Sequence, residues 1–417
     1  VHEEKQEQES VYNLLSREEK LKTGVNEELL IDLFDQLLLE AICHSASDIH
    51  IQPEDDSVIV RYRIDGVLYD QETLSHDDAN LIISRLKVLS HLDIAQRRIP
   101  QDGKFKVILN QDGDKKSLID LRISTFPTTC GEKVVVRILG ASVRNLSLNL
   151  LGLSDLIREG LHTLAKKQQG FVLVTGPTGS GKTTTLYALI AALNDGEKNI
   201  VTIEDPVEYE IPGITQSQVN EKAGFTFENG LRSILRQDPD VILIGEVRDK
   251  ATTCIAIQSA LTGHLVLSTL HTNDAPSAVM RLLEMGIESF LVSATLSGVL
   301  AQRLVRRLCD GCKKEERPAQ AVIERAADSG VKLTRAFVPE GCSNCHNRGY
   351  KGRIGIFELL VVDEKTSALI SEKADASTIK KQAMASGFKT LSCDGFEKVE
   401  AGITSLDEIF YSTLLSK

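Results

Sequence analysis

The octapeptide Gly176-Pro177-Thr178-Gly179-Ser180-Gly181-Lys182-Thr183 constrains this chain more than any other feature. It fits the pattern G-x-x-x-x-G-K-[ST] and lies between two informative neighbours. An apolar run, Phe171 to Val174, precedes it and reads as a strand buried in a parallel sheet. A helix-permissive run from Thr184 to Ile190 follows it. Strand, glycine-rich turn and helix N-terminus together make a cradle for phosphate. Gly176, Gly179 and Gly181 let backbone N–H groups approach phosphate oxygens with no Cβ in the way. Lys182 suits the β- and γ-phosphates, and Thr183 offers a hydroxyl to Mg²⁺. Pro177, Thr178, Ser180 and Thr184 complete the expected nucleotide-binding stretch. The chain reads as a nucleoside triphosphatase.

Three later segments carry polar chemistry at the ends of apolar runs. Asn199 to Glu204 ends on carboxylates, in Ile203-Glu204-Asp205-Pro206. A carboxylate at the C-terminal end of such a strand faces the crevice into which the phosphate loop opens. Glu204 is therefore expected to orient or deprotonate the attacking water, with Asp205 or Glu208 assisting a metal indirectly. Val241-Ile242-Leu243-Ile244-Gly245-Glu246 has the form of a Walker B strand, with Glu246 placed to hold a metal-bound water or the nucleophile. His264 and His271 stand at the two ends of a fourth apolar run. Bracketing that strand, both are expected to sense the γ-phosphate.

The 417 residues allow two or three domains. Residues 1–25, rich in Glu, Gln and Lys, read as a flexible acidic lead-in. From Asn26, a helix with an apolar face through Leu29, Leu30, Leu33, Phe34, Leu37 and Leu38 opens a small α+β domain extending to residue 140. Within it Asp65-Gly66 marks a hairpin between Val58–Ile64 and Val67–Tyr69, and a helix is expected over Asp78–Leu92. Further strands fall near Lys104–Leu109, Ser117–Ser124 and Lys133–Leu139. Residues 141–152 read as a linker, 153–304 as the nucleotide-binding α/β core, 305–350 as a cysteine-bearing insert, and 351–417 as a mostly helical region. Net charge is −11 and the pI about 5.4. That acidity, without a basic patch interleaved with aromatics, argues against nucleic acid as a partner. No apolar run approaches membrane-spanning length; Phe290 to Ala301 is too short and carries Ser293, Thr295 and Ser297. The start Val1-His2-Glu3-Glu4-Lys5 does not read as a signal peptide.

With a phosphate loop, an acidic box at Glu204-Asp205, a Walker B ending in Gly245-Glu246 and a histidine box in this order, the chain resembles the bacterial secretion ATPases of type II secretion and type IV pilus assembly. The resemblance runs from about Asn26 to the C-terminus. It implies a RecA-like motor domain, ATP hydrolysis with Mg²⁺, a homo-hexameric ring, and a cytoplasmic location peripheral to the inner membrane on a secretion or pilus platform. It makes Glu204 and Glu246 the catalytic acidic pair and His264 and His271 the histidine-box members. Ala46-Ser47-Asp48-Ile49-His50-Ile51 and Arg97-Arg98-Ile99-Pro100-Gln101-Asp102-Gly103 resemble the family's N-terminal sensor-like (PAS-like) domain, which supplies arginines to the nucleotide. By motif position these are Arg122 and Arg137. Strand alternation supports Arg122, because Ile119, Leu121 and Ile123 share the opposite face.

Cys309-Asp310-Gly311-Cys312 and Cys342-Ser343-Asn344-Cys345 form two C-x-x-C knuckles, with 29 residues (Lys313 to Gly341) between them. Each knuckle can turn both thiolates onto one ion, and four sulfurs complete a tetrahedral, structural Zn²⁺ site. A tetracysteine module at this point is a feature of type II secretion and pilus-assembly motors rather than retraction motors. Arg303, Arg306 and Arg307 precede the module at helical spacing and read as a solvated basic face. The leading function is an ATPase motor for type II export, with pilus assembly as the alternative. A nucleic-acid translocase and a non-hydrolysing scaffold are more distant rivals.

Overall fold

The computed structural model describes residues 11–14, 29–111, 115–139 and 147–413. The chain divides into two compact units, Val1–Asn145 and Leu146–Lys417.

The first unit has strands β1 (Val11–Leu14), β2 (Ala46–Pro53), β3 (Val58–Ile64), β4 (Val67–Leu74), β5 (Gln101–Gln111), β6 (Lys115–Thr128) and β7 (Gly131–Leu139). They form one seven-stranded sheet in the order β1-β5-β6-β7-β2-β3-β4. Alternation decides which face is which. Ile49, Ile51, Val60, Tyr62, Phe105, Val107, Leu121, Ile123, Val134 and Val136 are buried and pack with the helices Leu29–Cys43 and His76–Leu89. The other face carries charge. The structure corrects the lead-in reading at one place: Val11–Leu14 adds a parallel edge strand to β5. The remainder of residues 1–25, the Asn26 cap and residues 141–146 of the linker lie outside the described residues. Leu148–Leu150, within the expected linker, forms a 3-10 turn.

In the second unit β8 is Gly170–Thr175, β9 Ile200–Glu204, β10 Thr215–Gln218, β11 Val241–Ile244, β12 Leu265–Leu270, β13 Leu296–Leu308 and β16 Tyr350–Val361. Their order in the sheet is β10-β9-β11-β12-β8-β13-β16. Neighbours from β10 through β13 pair parallel, and β16 runs antiparallel to β13. Phe171 and Leu173 pack into the core on one face of the sheet, Val172 and Val174 into the core on the other. Both faces of β8 are dry, which is why its sequence is uniformly apolar rather than alternating. This is a RecA-like α/β core.

Two sequence expectations fail beyond residue 296. Arg303, Arg306 and Arg307 lie on strand β13, not on a helix. Arg303 is buried and donates to Asn273, while Arg306 pairs with Glu408 at 2.8 Å and stacks on Tyr350. The C-terminal region also opens with a twelve-residue strand, β16, before its helices begin. The cysteine segment is thus an excursion between two adjacent strands of the motor sheet. It contains the small pair β14 (Lys313–Glu316) and β15 (Ala336–Pro339), with the helix Gln320–Asp328.

Glu358 on β16 ties this region together. Its two oxygens accept the first N–H of the helix Ala275–Glu284 at 2.7 Å and that of the helix Leu391–Glu400 at 2.9 Å. Both contacts favour the carboxylate, but burial outweighs them and pushes its pKa up to about 7. A carboxyl whose folded pKa exceeds its unfolded value binds more protons in the native state, so its contribution to stability falls as pH rises. Between pH 4.5 and 7 wild type should lose on the order of 3 kcal/mol relative to a Glu358→Gln variant. Denaturant unfolding of both proteins across that range checks this, and parallel pH profiles would contradict it.

Candidate nucleotide site and cysteine centre

The phosphate loop leaves the C-terminal end of β8 and enters the helix Lys182–Leu193. Gly176, Gly179 and Gly181 all have positive φ, at 150°, 76° and 86°, where a side chain would be strained. A Cβ on Gly179 would meet nothing within 4 Å, which leaves that side of the loop open to a ligand. Lys182 spans the loop, donating to the carbonyls of Gly176 at 2.9 Å and Pro177 at 3.0 Å. Burial lowers its pKa, and nearby Glu246 partly restores it.

Small hydroxyls at the strand ends fix the floor of the crevice. Thr175 Oγ1 accepts the Thr272 N–H at 2.9 Å, and the two threonine hydroxyls meet at 2.8 Å. Ser268 and Thr269 donate to the carbonyls of Ile244 and Gly245. The turns after β8, β11 and β12 are thereby pinned to one another.

Glu246 follows β11 at this edge. It contacts the Arg248 guanidinium and lies 3.5 Å from His271 Nε2. Burial and the charge of Lys182 lower the His271 pKa, so the imidazole is neutral at pH 7 and its N–H can donate to the carboxylate. Lys182, Glu246 and His271 therefore form one electrostatic group at the loop.

His264 does not join it. Leu265 pairs with Gly170 and Leu270 with Thr175, so His264 sits at the opposite end of β12 from the loop, roughly 20 Å away at strand rise. Its Nδ1 faces the Ser259 carbonyl at 2.9 Å. The expectation that both histidines sense the γ-phosphate fails for this one, because a strand carries its two ends to opposite edges of the sheet.

Glu204 ends β9 and is 3% exposed. Its Oε2 accepts a short hydrogen bond from Tyr187 of the phosphate-loop helix, and its Oε1 accepts from Thr202 at 2.6 Å and Gln216 at 3.3 Å. Tyr209 packs edge-on against Tyr187, with ring centroids 4.6 Å apart. Burial, then the Glu204 contact, raises the Tyr187 pKa, which keeps the phenol a donor. In this arrangement Glu204 braces the phosphate-loop helix, and both its oxygens are engaged by protein donors.

In the first unit the register brings Arg122 and Arg137 side by side on β6 and β7. Lys104 flanks Arg122 on β5, and Asp48 flanks Arg137 on β2. Asp48 accepts from Arg137 Nε at 3.1 Å and also lies 3.7 Å from Arg63. Sequence reasoning passed over Tyr187, Gln216, Thr175, Thr272 and Arg248. Only Thr175, a polar residue closing an apolar run, carried a local signal.

The four cysteines converge. Their sulfurs all lie within 4.8 Å of one another, and the pairs Cys309–Cys342, Cys312–Cys345 and Cys342–Cys345 are 3.8 Å apart. Tetrahedral sulfurs at about 2.3 Å from a zinc ion stand about 3.8 Å from each other, so the residues fit that metal. The spacing is nearly twice a disulfide bond. Burial would push the Cys345 thiol up, yet N–H donors from Cys342 and Gly349 at 3.2 Å bring it down to about 6. Such backbone donors stabilise a thiolate.

A family model described as Type II/IV secretion system protein matches residues 24–411. The chain belongs to this family. It is 46% identical over 384 residues to Type II secretion system protein E of Pseudomonas aeruginosa, covering 92% of this chain and 75% of that protein. It is also 46% identical to the Type IV pilus assembly ATPase PilB of Thermus thermophilus, over 91% of this chain and 42% of the relative. Among solved structures it resembles the pilus retraction motor PilT with bound ADP, with a TM-score of 0.59, 26% identity and coverage of 93% and 98% of the two chains. The chain is a secretion ATPase.

Tyr187→Phe removes a donor from a buried carboxylate and should destabilise the second unit by roughly 1–3 kcal/mol. Urea unfolding measures this directly; an unchanged midpoint would show that Glu204 does not depend on the phenol.

Proposed function

We propose that this chain is the ATP-hydrolysing motor subunit of a type II protein-export machine. One observation carries the reading: a phosphate loop closed over by Lys182, with the Glu246–His271 pair beside it. The relative from Pseudomonas aeruginosa supplies the type II setting. The nucleotide would lie along Gly176 to Thr184, and the Thr183 hydroxyl would help hold Mg²⁺. That ion supplies charge neutralisation for the transferring phosphoryl group.

The residues of this chain then divide the work. Backbone N–H groups of the loop and Lys182 hold the phosphates. Glu246 is the carboxylate placed to orient the nucleophilic water, and neutral His271 fixes its side chain. Glu204 acts through Tyr187, holding the loop helix. Arg122 and Arg137 stabilise charge on the γ-phosphate in the assembled motor, and Asp48 sets the orientation of Arg137. Zinc on Cys309, Cys312, Cys342 and Cys345 is structural, since four thiolates leave no open position.

The motor works as a homo-hexamer, peripheral to the cytoplasmic face of the inner membrane and docked on a secretion platform. Among the described residues no helix is long and apolar enough to cross a membrane. The identity to PilB favours pilus assembly as a second reading. Deleting the gene separates them: loss of exported protein with piliation intact supports export, and the reverse supports assembly.

Arg122→Ala and Arg137→Ala should each lower turnover by about 10³-fold while ATP affinity stays within roughly twofold. Steady-state ATPase assays on the assembled oligomer decide this, and near-normal turnover in both variants removes the arginines from the site.

The cysteine centre is tested by metal analysis. Purified protein should carry about one zinc per chain, and Cys345→Ser should lose it together with part of its thermal stability. Zinc retained in the serine variant would assign the metal elsewhere.

A further inference from the structure

We propose that Gln302 is a positioning residue for nucleotide binding, because its carboxamide sets the direction of the peptide between Ser180 and Gly181. The inference rests on the reading of Gly176 to Thr183 as the phosphate site.

The register of β13 places Gln302 at the loop. Ala301 pairs with Thr175, so Gln302 stands beside Gly176, the first residue beyond β8. Contact there is close: a Cβ on Gly176 would fall 2.3 Å from the Gln302 carbonyl oxygen. The side chain then crosses the interior of the turn. Its Nε2 donates to the Ser180 carbonyl at 2.7 Å and lies 3.2 Å from where a Cβ of Gly181 would stand. One residue thus touches both ends of the phosphate loop from beneath, and it is only 2% exposed.

The hydrogen bond has a directional consequence. The peptide joining Ser180 to Gly181 is trans, so its N–H points opposite to its C=O. Drawing the Ser180 carbonyl inward onto Gln302 turns the Gly181 N–H outward, to the side where phosphate oxygens bind. Gly181, whose φ helps set the direction of this peptide, stands at positive φ, and glycine permits the reversed orientation as well. The loop sequence alone does not choose between the two directions; the Gln302 contact does.

The side chain is also poorly explained as filler. Its Oε1 is buried and meets no hydrogen-bond partner among the described residues, as does the neighbouring Ser180 Oγ. An unpaired buried acceptor lowers stability, a loss that a methionine of similar volume would avoid. The polar group stands there at a cost to stability, and the bond to Ser180 is what it supplies.

Gln302→Met keeps the volume and removes the donor. In the full-length oligomer it should weaken ADP binding about tenfold and raise KM for ATP by the same factor, with kcat changed less than threefold. The thermal midpoint without nucleotide should hold or rise. Fluorescence titration with a labelled ADP gives the affinity, and Gln302→Glu, which also lacks the donor, should repeat the loss. ADP affinity within twofold of wild type in Gln302→Met overturns the proposal, whatever the midpoint does. So does a fall in kcat with KM unchanged. Lys182→Ala serves as control: lost binding there with Gln302→Met intact defeats the role of Gln302 alone. Intact binding in both defeats the reading of the loop as the phosphate site.

Discussion

The parallel pairing of β8 with β12 is the constraint on which the motor unit depends. Their register, Gly170 with Leu265 through Thr175 with Leu270, sends both chains out of the sheet at the same edge. The segments leaving the two strands must therefore meet: the phosphate loop after one, His271 and Thr272 after the other. The Thr175–Thr272 clasp makes that meeting specific, replacing water at two strand ends with paired hydroxyls and an N–H donor. The pairing that delivers His271 carries His264 away, so a motif with two histidines yields one residue for the site. Dry faces on both sides of β8 leave it little freedom to shift, because a slip of one residue exchanges its two packed faces.

The same economy governs the other end of the sheet. β13 and β16 are neighbours, and the segment between them contains the cysteine centre. The excursion packs Ala326, Val331, Leu333 and Ala336 into the core of the motor sheet. An ion held by both knuckles would close it at its base, where Cys309 N–H reaches the Gly349 carbonyl at 2.9 Å. The module also leans on the helix Leu391–Glu400: Glu400 accepts from Thr334 and Arg335, and Lys313 donates to the Gly402 carbonyl. That helix begins on Glu358, which also starts the helix after the histidine-box loop. One buried carboxylate thus anchors helices that belong to the nucleotide edge and to the metal module.

Legibility in the sequence tracked how local each signal was. The phosphate loop, the apolar parallel strands and the two cysteine knuckles are written in short contiguous segments, and each could be read from spacing. The Asp65-Gly66 hairpin was equally local. Arg303, Arg306 and Arg307 misled because three and four residue intervals suggest a helix, while the strand they occupy is set by pairing with β8 and with β16, more than forty residues downstream. Edge strand β10, Thr215-Gln216-Ser217-Gln218, has no apolar signature. Gln302, Tyr187 and Gln216 were invisible for a different reason. Each is an ordinary residue whose role comes from a partner far away in sequence, such as Ser180 for Gln302, 122 residues distant.

The resting arrangement of the site has its own logic. Lys182 is half-buried, its pKa is lowered by that burial, and two neutral carbonyls hold it. Replacing a carbonyl with a phosphate oxygen exchanges a neutral acceptor for a charged one, turning an ion–dipole contact into an ion pair. Nucleotide binding at this loop would draw Lys182 off the backbone and free the carbonyls of Gly176 and Pro177. Gly176 abuts Gln302, so the freed end of the loop bears directly on β13. β13 continues from there to Leu308, next to Cys309, with a register shift against β16 between Arg306 and Leu308. Up to Ala301 this strand pairs with β8 on one edge and β16 on the other; beyond it only the β16 pairing continues. The phosphate loop and the cysteine module thus meet the same strand, one at Gln302 and the other just beyond Leu308.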